Sequence, residues 1–254
     1  MRKIALVLAL AAVAVVGAGT ANGAERGSTF TFCTDPTFPP MELASSSGAI
    51  SGFDVDMAGA LAKTWGAKAR PVKTAFPGLI PALDARKCDA VISGIFVTPA
   101  RVKQAGAAPY METHRVLIVK DGNPKRVTGP NGLKDLKVVV QAGTKYEEYL
   151  KDLQKKIGFD LQSYPGDNDA VAQLILGRAD AVLTQDTSFA SQSKAHPRKL
   201  AVAYTFPGKD SFGVYYRKGD ALGAQIKSGI AKLKANGTLA RLAAKYQIPV
   251  ADVK

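Results

Sequence analysis

The chain has 254 residues, long enough for one large domain or two small ones, and its 46% hydrophobic and 22% charged content excludes a disordered polymer. Its formal charge of +13 becomes +11 once Arg2 and Lys3 leave with the N-terminal segment. The remaining Lys and Arg are scattered and not interleaved with aromatics, which reads as a solvated basic surface mildly attractive to anions and excludes a nucleic-acid partner.

Residues 1–24 read as a signal peptide: Arg2 and Lys3, an apolar run from Ile4 to Val16, then small residues with Ala21, Gly23 and Ala24 permitting cleavage. The run is shorter than the ~20 residues of a membrane span, and no second run of spanning length follows. The mature chain is expected to be exported and soluble.

A short strand is predicted over Phe30 to Thr34, followed by a Pro- and Ser-rich loop, "DPTFPPMELASSSG". Helical spacing of Val55, Met57, Ala58, Leu61, Ala62 and Trp65 predicts a helix ending at a glycine. "ARPVKT" reads as a strand, "FPGLIPALDARK" as a helix, "CDAVISGIF" as a strand and "TPARVKQAG" as the start of another helix. The second half repeats the alternation: "HRVLIVKDG", "LKVVVQ", "FDLQSYP", "DAVLTQ", "KLAVAY" and "SFGVYYRK" as strands, with helices between the earlier ones and two at the C-terminus divided near Asn236 and Gly237. Alternation predicts α/β architecture with parallel sheets covered by helices. Two lobes with crossings near Thr113 to Leu117 and Gly208 to Val214 would place a hinge and a ligand cleft between them.

Cys33 falls late in its strand and Cys88 at the start of another. If those strands run parallel, the two lie several residues apart along the sheet, and two buried thiols are expected.

Four segments carry possible chemistry. In "SGIFVTPAR", Thr98 is a good N-cap and Pro99 a good first helical residue, so Arg101 stands in a first helical turn where the dipole already disfavours a cation. A strand delivers that helix start to the carboxyl edge of a sheet, where free N–H groups and a guanidinium fork favour a carboxylate; an exposed or salt-bridged arginine is the plainer reading. "VVVQAGTKYEE" ends a strand at Gln141, and Thr144 with Glu147 fits a capping box, which an ordinary strand-to-helix junction also explains. Asp35, Phe38 and Phe76 lie in loops after strands, able to flank a ligand or to pack beneath those loops. "GRADAVLTQDTS" ends in Gln185 and Asp186, where a carboxylate could receive an ammonium group or cap the next helix. His114 and His196 show no metal-ligand spacing, and no hydrolase or nucleotide motif is present, so no metal, cofactor or catalytic residue is expected.

These segments, in this order, resemble the polar amino acid-binding proteins of bacterial ABC importers, solute-binding protein family 3, with the type II periplasmic binding fold. The resemblance runs through "TDPTFPPME", "GFDVDMAGALAK", "FPGLIPALDARKCDAVISG", "TPAR", "LKDLKVVVQAGT" and "GRADAVLTQD". It implies two α/β lobes joined by a two-strand hinge, with residues 25–115 and 212–254 forming one lobe and 116–211 the other. It implies a monomeric periplasmic receptor that hands a small amino acid or analogue to an inner-membrane permease. By position, Arg101 would hold the ligand carboxylate, with Thr144 meeting it from the second lobe. Ser93 and Gly94 would line the site through their backbones, Phe38 and Phe76 would supply aromatic contacts, and Asp35 and Gln141 would meet the ligand side chain. The acid for the α-amino group would be Asp186, or its place is taken by Gln185. Phe96 departs from the family, which often has Thr or Ser there. An enzyme on the same fold, such as a cyclohexadienyl dehydratase, and a solute sensor are the competing implications; Glu42 and Glu112 are poorly placed as the acid the enzyme would need.

Overall fold

The computed structural model describes residues 28–253; the signal-peptide reading lies outside them. In chain order the strands are β1 (Thr29–Thr34), β2 (Thr37–Phe38), β3 (Glu42–Ala44), β4 (Ile50–Ser51), β5 (Lys68–Lys73), β6 (Ala90–Val91) and β7 (Gly106–Thr113). They continue as β8 (Arg115–Lys120), β9 (Lys137–Gln141), β10 (Asp160–Tyr164), β11 (Ala181–Gln185), β12 (Leu200–Thr205) and β13 (Asp210–Tyr216). The helices are α1 (Phe53–Lys63), α2 (Leu79–Asp84), α3 (Pro99–Gln104), α4 (Lys145–Ile157), α5 (Asp167–Ile175), α6 (Asp186–Ala195), α7 (Leu222–Ala235) and α8 (Thr238–Lys245).

Two five-stranded sheets organise the chain, ordered β5-β1-β6-β13-β7 and β10-β9-β11-β8-β12. In the first, β1 runs parallel to β5 and β6, while β13 is antiparallel to β6 and β7. In the second, β9 runs parallel to β10 and β11, while β8 is antiparallel to β11 and β12. The parallel strands of each sheet end at Thr34, Lys73 and Val91 and at Gln141, Tyr164 and Gln185, so each sheet gathers its loops at one carboxyl edge. The chain passes between the sheets twice, at His114 and again between β12 and β13. α7 packs on β7, and α8 on α1 and α7, so the C-terminal helices return to the first sheet.

The sequence pattern misses three features. The loop after β1 folds into a small sheet, β2-β3-β4. β7 is an eight-residue strand through "GAAPYMET", whose Pro109 is tolerated because β7 lies at the sheet edge. β6 is only two residues long, and the chain leaves the sheet at Ile92, touching it again only where Phe96 bridges Phe212.

The cysteines correct the sequence expectation. Cys33 and Cys88 form a disulfide, with Cα atoms 5.7 Å apart. The strands are parallel as assumed, but Cys88 precedes β6 instead of opening it, so strand register does not set its distance from Cys33. Both sulfurs sit in a buried cluster with Phe76, Leu79, Leu83 and Tyr215.

Candidate functional site

The two carboxyl edges face and touch each other. Gly143, in the left-handed region at φ +74°, lies so close to Pro77 that an added Cβ would stand 2.7 Å from its Cγ. Gly166, ahead of α5, meets Thr37 the same way, at 2.8 Å. Only a residue without a side chain fits either approach.

Arg101 stands in this contact zone. Thr98 caps α3 by accepting the Arg101 N–H at 3.3 Å, as its sequence position predicts. The guanidinium lies over the Phe76 ring, 5.5 Å from its centroid. It donates from Nη1 to the Phe96 carbonyl at 3.2 Å and from Nη2, across the interface, to the Gly143 carbonyl at 3.4 Å. Burial lowers its pKa from the usual guanidinium range, with Tyr215 and Glu148 acting against that. Among the described residues it has no ion pair. It also borders a surface cavity of about 590 Å³ edged by Phe76, Pro77, Gly143 and Lys145.

Thr144 caps α4, its Oγ1 accepting the Glu147 N–H at 3.2 Å and donating to the Gln141 carbonyl at 2.8 Å. Glu147 reaches back to the Gly143 N–H at 2.8 Å, completing a capping box shifted by one residue. Gln141 crosses to the first sheet, donating from Nε2 to Asp35 Oδ2 at 3.0 Å. That same oxygen accepts the Phe76 N–H at 3.0 Å. Burial raises the Asp35 pKa to about 6, against the lowering effect of the Phe76 N–H and the Thr37 hydroxyl.

Ser93 and Gly94 are held from behind. Ser93 Oγ accepts the Asp35 N–H at 2.9 Å and donates to Glu42 Oε1 at 2.8 Å. The Gly94 N–H goes to Asp54 Oδ2 at 2.7 Å. Gly94 has φ +47°, and an added Cβ would strike the Phe38 ring at 2.5 Å. Phe38 is thereby packed on the loop, edge-on to Phe212. Phe96 is 2% exposed and turns its ring onto Phe212 and, from α4, Tyr146, with centroids 4.9 and 5.3 Å away. The Lys145 ammonium sits over the Phe96 ring, 4.4 Å from its centroid, and pairs with Asp210.

Gln185 and Asp186 part company. Gln185 ends β11 at the carboxyl edge, 6% exposed, its side-chain amide 2.9 Å from Thr184 Oγ1. Asp186 instead grips the crossing between the sheets. It accepts from Thr113 Oγ1 at 2.5 Å and from the His114 N–H at 3.1 Å, and the His114 ring Nδ1 lies 3.0 Å away. A further acid, Asp167, is buried beside this strand and accepts from Thr184 and Ser188. Asp167, Lys145 and Asp54 are not among the residues the sequence singles out, and Glu42 figures there only as a poorly placed acid. Their signal is faint: an acid that closes "GFD" and one at a helix start are ordinary patterns.

The family model for bacterial extracellular solute-binding proteins, family 3, matches residues 30–248. The L-cystine-binding protein TcyJ of Escherichia coli (strain K12) is 30% identical over 96% of this chain and 91% of its own length. An ancestral arginine-binding protein bound to arginine superposes with a TM-score of 0.82 and 31% identity, covering 87% of this chain and 99% of that one. The ancestral amino acid-binding protein AncCDT-1, a precursor of cyclohexadienyl dehydratase, gives a TM-score of 0.78 and 31% identity over 86% of this chain and 95% of that one. The type II periplasmic binding fold is therefore shared, and these relatives are binding proteins.

Proposed function

The chain belongs to the bacterial extracellular solute-binding proteins of family 3, and from that premise we propose that it captures a small amino acid or amino acid-like carboxylate between its sheets and delivers it to the membrane permease of an ABC importer. It does so in the periplasm, as a single chain, after loss of residues 1–24. Residues 25–115 with 212–254 act as one lobe and 116–211 as the other, with the two crossings as hinge.

The observation that carries this reading is Arg101. A half-buried guanidinium between the two edges, resting on Phe76 and, among the described residues, hydrogen-bonded only to neutral carbonyls, is the natural receptor for a carboxylate. The Thr144 end of α4 meets that carboxylate from the other lobe, so its binding and lobe closure are one event. Asp35 supports a cation at the ligand's far end. Its carboxyl is desolvated by burial, which Lys73 offsets only weakly. A ligand guanidinium or ammonium would replace what burial removes. Phe38 and Phe76 flank the chain between these ends, with Gln141 beside it. Gln185, not Asp186, faces the ligand, because Asp186 is committed to the crossing. Ser93 and Gly94 shape the site through their backbones, and Phe96 fills the space behind them. Relatives named for arginine and cystine fit a solute of this class.

The chain is a binding protein and not an enzyme in this account. Glu42 is sealed behind Ser93, and Glu112 is on β7, paired with Lys209. Calorimetry with L-arginine and L-cystine is the test. Saturable binding of at least one supports the proposal; conversion of prephenate or arogenate to an aromatic product would replace it with the dehydratase reading.

A further inference from the structure

Behind the Ser93–Gly94 loop lie two acids that the binding reading does not use. Glu42 and Asp54 are both fully buried. Asp54 has a donor for each oxygen, the Tyr110 hydroxyl on Oδ1 at 2.7 Å and the Gly94 N–H on Oδ2 at 2.7 Å. Glu42 has one, the Ser93 hydroxyl on Oε1, and its Oε2 is buried without a hydrogen-bond partner. A buried ionised oxygen with no donor is costly, whereas a carboxylate with two good donors is tolerated.

The asymmetry assigns the charges. Asp54 is the ion, and Glu42 is the neutral acid with its proton on the Oε2 side. The groups facing Glu42 are Asp54 on α1, Asp35 after β1, the Ser93 hydroxyl after β6 and, beyond Asp54, the Tyr110 phenol on β7. Burial first, then the Asp54 charge, holds Glu42 well above the ordinary carboxyl range.

We propose that Glu42 is a positioning residue of the solute site, setting the Ser93 hydroxyl and through it the Asp35 backbone, and that it does so as a neutral acid. The relay has two steps: Glu42 Oε1 fixes the direction of the Ser93 O–H, which leaves Ser93 Oγ to accept the Asp35 N–H. Asp35 then aims its carboxyl at the cleft and at Gln141. Ionising Glu42 would place a second charge against Asp54 and pull on both arms of the loop, Ser93–Asp35 and Gly94. The functional meaning of this relay rests on the binding reading above, but its existence does not.

The test therefore uses the ligand-free full chain. Carbon-detected NMR of side-chain carboxyls at about pH 7 is expected to find Glu42 protonated and Asp54 ionised. Raising the pH should shift the Asp35 and Gly94 amides with the same midpoint as the Glu42 carboxyl. In Glu42→Gln both amides should stay flat over that range. In Ser93→Ala the Asp35 amide should stop following while the Gly94 amide still does, which keeps the test decisive if Glu42→Gln folds poorly. An ionised Glu42 at neutral pH, amide shifts that persist unchanged in Glu42→Gln, or an Asp35 amide shift that persists in Ser93→Ala, overturns the proposal. Absence of binding to any amino acid would instead overturn the solute reading and leave this result standing.

Discussion

Asp35 and Gln141 join the two sheets directly, Gln141 Nε2 donating to Asp35 Oδ2 at 3.0 Å. The bond links the loop after β1 to the end of β9, and it places a carboxyl whose pKa is raised to about 6 in the contact zone. Its folded pKa lies above the ordinary value of 3.8, so its stabilising contribution is fully present below about pH 4 and is lost as the pH rises to about 6. Asp35→Asn should flatten that part of the melting-temperature profile. A solute with a cationic end should expel the Asp35 proton when it binds at about pH 5.5, read as buffer-dependent heat in calorimetry. Buffer-independent heat would show that the cation does not reach Asp35.

Gln185 and Asp186 should separate by phenotype. Gln185→Ala is expected to weaken solute binding by about tenfold, the loss of a hydrogen bond or two in a closed site, with little change in melting temperature. Asp186→Asn should lower the melting temperature, since it weakens the grip on Thr113 and His114, while affinity changes less. The reverse pattern in parallel calorimetry and thermal melts would reassign the two.

Gly143→Ala tests whether the edges must meet. The left-handed backbone at Gly143 costs an alanine roughly 1 kcal/mol, and its Cβ would strike Pro77. Affinity should fall by about tenfold or more, and small-angle scattering with solute present should show a less closed molecule than the wild type.

The disulfide closes a loop across a sequence separation of 55. Cys33→Ser with Cys88→Ser should lower the unfolding free energy by about 2–4 kcal/mol in denaturant titrations. A stability unchanged within error would mean that the bridge does not restrain the unfolded chain.

Much of this architecture was legible because period and punctuation agreed: "GFDVDMAGALAKTWGA" and "VVVQAGTKYEE" read as the elements they form, down to the Thr144 cap. The place of Arg101 in the first turn of α3 was legible from the Thr98-Pro99 helix start. What stayed hidden depended on three-dimensional neighbours. No spacing reveals that Cys88 lies before its strand, or that Pro109 is permitted because, among the described residues, β7 pairs with a strand on one side only. Adjacent Gln185 and Asp186 could not be ranked until the strand end sent one to the cleft edge and the other to the crossing. Glu42 gave no sign of burial, since the loop that carries it reads as polar.

The most direct test of the central claim is a thermal-shift comparison of the wild type and Arg101→Ala across amino acids and their carboxyl amides. A bound solute raises the melting temperature of the form that binds it. At least one free-carboxylate compound should raise that of the wild type, its amide should not, and Arg101→Ala should respond to neither while melting near the wild-type value. Equal shifts in both proteins, or an amide as effective as the acid, would contradict the account.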